Sequence, residues 1–219
     1  MKARTLIFFL CIAFSALKAQ EQKFALMPAL GLTASQIHGD NYAGYNKLGF
    51  MGGLLIEAKL NKVLDADFGI TFIQKGSRRN QNPEKFDYRF YYVNLNYVEV
   101  PLMLKYNTKR VFLTIGGAFA YLINYVEESE IGSLTGMFPF QKYDYSVNVG
   151  MGMNIMPKLA FELRCSNSFM TTRPFGGNFA PYYNNILART FNKGYYNNVL
   201  QMLFTYKITP KKKSESAQN

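Results

Sequence analysis

Residues 142–155 alternate almost without exception. Tyr143, Tyr145, Val147, Val149, Met151, Met153 and Ile155 share one face, while Lys142, Asp144, Ser146, Asn148, Gly150, Gly152 and Asn154 share the other. Successive strand side chains point to opposite sides, so this stretch is a strand with one apolar face and one polar or tiny face. The same period recurs near residues 23–34, 48–60, 64–76, 94–106, 110–123, 141–155, 158–170 and 195–208, which predicts eight strands. Short connections at 61–63, 107–109 and 156–157 alternate with long ones at 35–47, 77–93, 124–140 and 171–194. An up-and-down meander with its long loops at one end is the layout of an outer-membrane barrel. The predicted fold is therefore all-β, an eight-stranded antiparallel up-and-down transmembrane β-barrel.

A soluble barrel also alternates, with its apolar face inward. The composition of the two faces decides between them. Leu48, Phe50, Leu54 and Ile56 oppose Gly49, Met51, Gly53, Glu57 and Lys59. Val98, Val100, Leu102 and Leu104 oppose Tyr97, Glu99, Pro101, Met103 and Lys105, and Phe161, Leu163 and Cys165 oppose Glu162 and Arg164. Each apolar face is continuous over nearly the ~9–11 residues that a tilted membrane strand needs. The other face mixes glycine with charge, which suits a lumen too narrow for many large side chains. A water-facing surface has no use for so many glycines. Lipid outside is the expectation. Aromatics fall where interface belts would lie: Tyr106, Phe112, Phe161 and Tyr206 near the short turns, Phe50, Phe72, Tyr143 and Phe169 near the long loops. Pro101 removes a ladder donor, so a bulge or kink is expected there.

The first residues fit export. Lys2 and Arg4 precede an apolar run of about a dozen residues, too short to span a bilayer as a helix, and Ala19 follows it. The expected organisation is a secretory signal over 1–19, an outer-membrane β-barrel over 20–209 and a polar basic tail over 210–219. Cys165 is then the remaining cysteine, which excludes an intrachain disulfide. The 25 basic and 14 acidic residues give +11, and removal of Lys2, Arg4 and Lys18 leaves +8. An exported chain with no basic helix argues against nucleic acid as the partner.

With the strands placed, the sequence resembles the PorT-like outer-membrane β-barrel family of Gram-negative bacteria. The resemblance rests on Gly31-Leu32-Thr33-Ala34-Ser35-Gln36-Ile37-His38-Gly39-Asp40, on Gly44-Tyr45-Asn46-Lys47-Leu48-Gly49-Phe50 and on Phe72-Ile73-Gln74-Lys75-Gly76-Ser77. It rests most on Tyr97-Val98-Glu99-Val100-Pro101-Leu102-Met103-Leu104-Lys105-Tyr106. It covers almost the whole mature chain and implies an eight-stranded barrel in the outer membrane. Its namesake is associated with a protein-secretion system, a role that the resemblance alone does not transfer. Many outer-membrane barrels end on an aromatic read by the assembly machinery. Here Tyr206 is followed by Pro210 and a polar tail, which makes that signal internal.

The inward faces carry Glu57, Asp65, Asp67, Glu99, Asp144 and Glu162 against Lys59, Lys75, Lys105, Lys142, Arg164 and Lys207. Equal numbers of each sign predict internal ion pairs and a side-chain-filled lumen, because an unpaired buried charge is costly. The expected lumen charge cluster is Glu57, Asp67, Glu99, Lys105, Glu162 and Arg164, with Glu99, Glu162 and Arg164 at its centre. The alternative for the same residues is a small conducting pore. The loops offer binding candidates at Arg78, Arg79, Tyr91, Tyr92, Arg173, Phe175, Tyr182 and Tyr183, since basic groups among aromatics suit an anionic glycolipid or a protein. The bland reading of those residues is strand ends among lipid headgroups.

Catalysis has little support. The single histidine, His38, lies near Asp40 and Ser35 in a loop, and Cys165 has no histidine in its neighbourhood. No cofactor is expected, and one histidine with one mature cysteine gives no metal-ligand spacing. The sequence reads as a structural or binding barrel, not an enzyme, with long loops outside and both termini periplasmic. The expected partners are outer-membrane lipid, the barrel assembly machinery and secretion-system proteins. The alternatives are a component of a secretion or envelope-assembly machine, a lipid-modifying barrel enzyme and a small pore.

Overall fold

A computed structural model describes residues 24–40, 42, 44–174 and 194–208. Eight long strands form the wall: β1 (Phe24–His38), β2 (Lys47–Lys59), β3 (Leu64–Arg79), β4 (Tyr91–Asn107), β5 (Val111–Ser129), β6 (Tyr143–Met156), β7 (Leu159–Ser168) and β8 (Gly194–Tyr206). Each pairs antiparallel with the next, and β8 pairs with β1 from Ala29↔Thr205 to His38↔Tyr196. The sheet thus closes on itself. Closure leaves no strand edge, and in hydrocarbon every backbone N–H and C=O must find its partner within the protein. The stretches 1–23 and 209–219, which hold the expected signal and tail, lie outside the described residues.

The faces follow the alternation. On β6, Asp144, Ser146, Asn148, Gly150 and Gly152 are buried, while Tyr143, Val147, Val149, Met151 and Met153 are exposed. Lys142 and Asn154, expected inward, are exposed at the two ends of this strand, where the wall no longer shields them. Around the barrel the exterior is apolar: Leu30 is 70% exposed and Leu102 65%, whereas Glu57 and Glu99 are each 1% exposed. Burying charge while exposing leucine makes sense only for a lumen lined with polar groups and an outer surface in lipid.

Gly150 and Gly152 mark close approaches along the wall. A Cβ at Gly150 would lie 2.5 Å from Glu162 Oε1, and one at Gly152 would lie 2.2 Å from the Phe112 ring. Phe112 is accordingly not part of an interface belt. It is 2% exposed and fills the lumen over Gly152, with the Lys105 ammonium 4.4 Å from its ring centre. Its neighbours Val111 and Leu113 face out instead. Phe161 and Phe204 do pair on the outside at the short-turn end, and Phe50 with Phe72 and Phe119 with Tyr143 pair at the long-loop end.

The apolar exterior stops at a line of amides. Gln74 Nε2 donates to Asn96 Oδ1 at 3.0 Å, and Asn96 Nδ2 donates to Asn124 Oδ1 at 2.6 Å. These residues sit one outward step beyond Phe72, Val98 and Tyr121 in the shared register. Inside, Ile37, Ile73, Tyr91, Val93, Leu95, Tyr97, Leu122 and Phe140 pack into one cluster. The same cluster runs down into the band through Met51, Leu55, Met27 and Leu203, and Lys75, Ser77 and Glu127 stay buried inside at and beyond the line.

One irregularity lies at this line. β4 and β5 change register between Asn96 and Tyr97, which leaves Ile123 as an extra residue on β5. Ile123 and Asn124 then both face out, and Glu127 turns inward. The bulge expected at Pro101 is absent. The pairing with β5 runs through Pro101↔Ala118, and the β3–β4 bridges lapse at Gly69 and Ile70 without a change of register. A missing donor interrupts the ladder there but does not add a residue. The bulge lies instead where the strand leaves the band.

Leu102→Arg should destabilise the barrel in lipid vesicles by about 2–4 kcal/mol, and Asn124→Arg by about 1 kcal/mol or less. Urea unfolding of the refolded protein measures both, and equal costs at the two positions would move the band.

Candidate functional site: the charged lumen and the long-loop rim

All six residues expected in the lumen cluster are buried and inward, yet they fall into separate groups. Lys75 Nζ lies 2.9 Å from Glu99 Oε2 and 3.1 Å from Asp144 Oδ2. Asn197 Nδ2 donates to the same Asp144 oxygen at 3.0 Å. Nearer the short turns, Lys105 Nζ reaches Glu57 Oε2 at 3.0 Å, and Lys207 pairs with Glu57 Oε1. Arg164 grips Glu162 through two bonds of 2.9 and 3.0 Å, and the Thr114 hydroxyl donates to Glu162 at 2.6 Å. Glu99 therefore belongs with Lys75, not with Glu162 and Arg164. Asp67 stands beside Glu57 in the β2–β3 register and forms no ion pair within 4 Å among the described residues.

The balance also differs from the expected equality. Lys59 and Lys142 are exposed at strand ends. Lys47, read as a loop residue, is 1% exposed and points inward. Its signal was present, because Lys47 continues the inward series of Gly49 and Met51. The inward placement of Glu127 and of Arg173, which was expected as a loop binding group, escaped the sequence reading for a different reason. The Ile123 bulge flips the parity that Glu127 obeys, and Arg173 stands in a connection with no period.

At the long-loop rim, Arg173 Nη1 donates to Glu127 Oε1 at 2.9 Å and the Tyr91 hydroxyl donates to the same oxygen at 2.8 Å. The Arg173 guanidinium lies 3.6 Å from the Phe140 ring centre. Tyr91 and Arg173, expected as binding groups, are buried and bonded to Glu127. Tyr92 is half-buried and faces out, and Arg78 is exposed, its Nε donating to Asn80 Oδ1 at 2.8 Å. Arg79 pairs with Asp87, which also accepts from Arg89 Nε at 2.9 Å. Those hydrogen bonds, from Arg89 first and then Arg79, hold the Asp87 carboxyl well below the usual carboxylate range. Phe175, Tyr182 and Tyr183 lie outside the described residues.

A closed eight-stranded wall with an apolar exterior and a charged interior matches a family model. The model for the outer membrane protein β-barrel domain covers residues 18–172. The chain belongs to that family. Members of the outer membrane protein β-barrel domain family reside in the outer membrane, and this chain's lipid band agrees with that location. Solved structures similar to it include Ail, the attachment invasion locus protein of Yersinia pestis, at 14% identity and TM-score 0.48, over 86% of this chain and 100% of that one. Neisserial surface protein A aligns at 10% identity and TM-score 0.47, over 84% and 97% of the two chains. Acinetobacter baumannii CarO aligns at 10% identity and TM-score 0.42, over 81% and 96%. No curated protein matches the sequence.

In this barrel the histidine and Ser35 fall on opposite faces of the wall. His38 is exposed on the outside, whereas Ser35 is fully buried inside and Asp40 Oδ1 accepts the Tyr42 amide at 2.8 Å. Cys165 is exposed on the lipid face. Among the described residues no group of three or more His, Cys, Asp or Glu is placed to hold a metal ion.

Lys75→Met leaves Glu99 and Asp144 buried without their cation and should cost about 3–5 kcal/mol. Adding Glu99→Gln and Asp144→Asn should recover most of that loss in the same urea titration. At the rim, the depressed Asp87 pKa means that its tether is present above the ordinary carboxylate range and is lost only as pH falls through the lowered value. Hydrogen exchange of the 83–89 backbone should therefore be equally slow, after correction for intrinsic rates, at pH 5 and pH 7. Asp87→Asn should speed it at both.

Proposed function

We propose that the protein is an outer-membrane barrel with a side-chain-filled lumen, acting as a structural or binding protein through its long loops. The single observation that carries this reading is the occupation of the interior. Lys75, Lys105 and Arg164 are each within 5% of full burial, and each is bound to a carboxylate that reaches them inside the wall. Beside Lys75, whose ammonium lies 5.1 Å from the Tyr97 ring centre, Tyr97 and Leu95 belong to an apolar cluster that fills interior space. A filled lumen leaves the rim as the surface for contact. The long loops face the outside and both termini face the periplasm, following the rule of short periplasmic turns. Outer-membrane lipid and the barrel assembly machinery are the partners this reading implies. The outward histidine, separated from the inward Ser35, supports a role without catalysis.

Within the family, the resemblance over residues 97–106 supports a reading as a PorT-like barrel. A second reading, a component of a secretion or envelope-assembly machine, is favoured by apolar side chains at the rim. Phe86 is 84% exposed and Ile131 83%, with Met137 and Phe138 nearby in the chain. Such residues suit a protein partner better than water.

Purified protein in planar bilayers should give no single-channel steps, and reproducible steps would contradict the filled lumen. Crosslinking in intact membranes followed by pull-down separates the two readings. A stable envelope protein recovered by the wild type and lost on Phe86→Ser with Ile131→Ser supports the machine component.

A further inference from the structure

The wall parts at one seam. β2 and β3 are paired from Met51↔Ile73 to Lys59↔Asp65 and no further toward the long loops. Both strands nevertheless continue. Residues 47–50 stay bound to β1 and residues 74–79 stay bound to β4. Between them, side chains replace the ladder: the Thr33 hydroxyl donates to the Gln74 carbonyl at 2.8 Å, and the Phe50 amide donates to Gln74 Oε1 at 3.4 Å. Gly49 permits this, since a Cβ there would lie 2.7 Å from Thr33 Oγ1. The same Cβ would lie 3.0 Å from Lys47 Nζ, so the lysine ends beneath the parting.

Lys47 is 1% exposed, and no carboxylate lies within 4 Å of it among the described residues. Every other buried lysine of the lumen has such a partner. On the rim side of the seam, a cleft of about 320 Å³ is lined by Tyr42, Asn46, Arg78, Arg79, Asn80, Gln81 and Asn82. Asp87 answers Arg79, but Arg78 has only an amide. Asp40, on the same connection as Tyr42, is already bonded to the Tyr42 amide. The Phe50 and Phe72 rings, 5.3 Å apart, lie on the lipid face at the foot of the seam.

We propose that this cleft is a site for the phosphate group of a phosphorylated sugar headgroup, with Arg78 as the direct ligand and Lys47, at the foot of the same seam beside Gln74, as a charge without a carboxylate partner that acts on it through the seam. A guanidinium matches phosphate geometry, and the amides and Tyr42 offer partners to sugar hydroxyls. A phosphorylated glycolipid of the outer leaflet presents this chemistry at the height of the cleft. The inference rests on the reading that the long loops face outward and bind. An unpaired buried ammonium costs stability, so its retention fits a charge kept for a ligand.

The test uses the full mature barrel in phosphatidylcholine nanodiscs, with native mass spectrometry and thermal unfolding as readouts. The probes are bisphosphorylated lipid A, the same lipid without its phosphates, and inorganic phosphate. The site predicts binding of the bisphosphorylated lipid and about tenfold or greater weakening on Arg78→Ala, the loss expected for one charge-assisted bond. Lys47→Met should weaken binding too, yet raise the unfolding temperature of the unliganded barrel, a pairing that a merely structural lysine would not give. Binding of inorganic phosphate alone, sensitive to the same variants, assigns the site to free anion. Equal binding of the dephosphorylated lipid, or binding unchanged in both variants, overturns the site. Heat-modifiable migration on gels confirms that each variant has folded. The pull-down of a protein partner is independent of all these results, so the site can fail while the loop reading stands.

Discussion

Everything in this molecule depends on the closure of its backbone ladder. A strand in hydrocarbon has no water to satisfy an unpaired N–H or C=O, so the sheet must return to its own first strand. The β1–β8 pairing does this. Once the wall is closed, each strand has lipid on one side and a narrow lumen on the other. The exterior becomes leucine, isoleucine, valine and phenylalanine. The interior takes what remains, and the charges there must meet each other, as Lys75 meets Glu99 and Asp144.

The same constraint explains where irregularity is allowed. The β5 bulge at Ile123 and the parting of β2 from β3 beyond Met51 both lie at or beyond the amide line of Gln74, Asn96 and Asn124. There water and side chains can satisfy what the ladder drops. Within the band the departure is the lapse opposite Pro101, which breaks bridges to β3 but leaves the register intact. At and beyond the line β4 turns Tyr91, Val93, Leu95 and Tyr97 inward, beside the buried charges of Lys75 and Glu127. Farther along the same strand, Glu99 and Lys105 point inward as charges.

Much of this was legible in the residues. Period-two alternation gave the eight strands and the lumen faces, because a one-residue slip would reverse every side chain. The glycines at 150 and 152 correctly marked crowding, though by wall neighbours and not by residues across the barrel. What was not legible has definite causes. A bulge changes parity with no composition signal of its own, so Glu127 read as a loop residue. Phe112 has the chemistry of a belt residue and only its register puts it inside. Tyr91 and Arg173 looked like binding groups because an aromatic and a cation suit a ligand as well as they suit each other. The buried Lys47 lay one residue before the assigned strand. The partners of the rim leave no pattern in one sequence.

The central claim is that one line of amides marks where the lipid-bathed exterior of the barrel ends. Spin labels at single cysteines, in a Cys165→Ser background reconstituted in vesicles, test it by relative accessibility to oxygen and to a water-soluble nickel chelate. The account predicts that labels at Leu102 and Ile115 are reached by oxygen and shielded from nickel, and that labels at Asn96 and Asn124 show the reverse. Nickel access at Ile115, or oxygen dominance at Asn124, would contradict it.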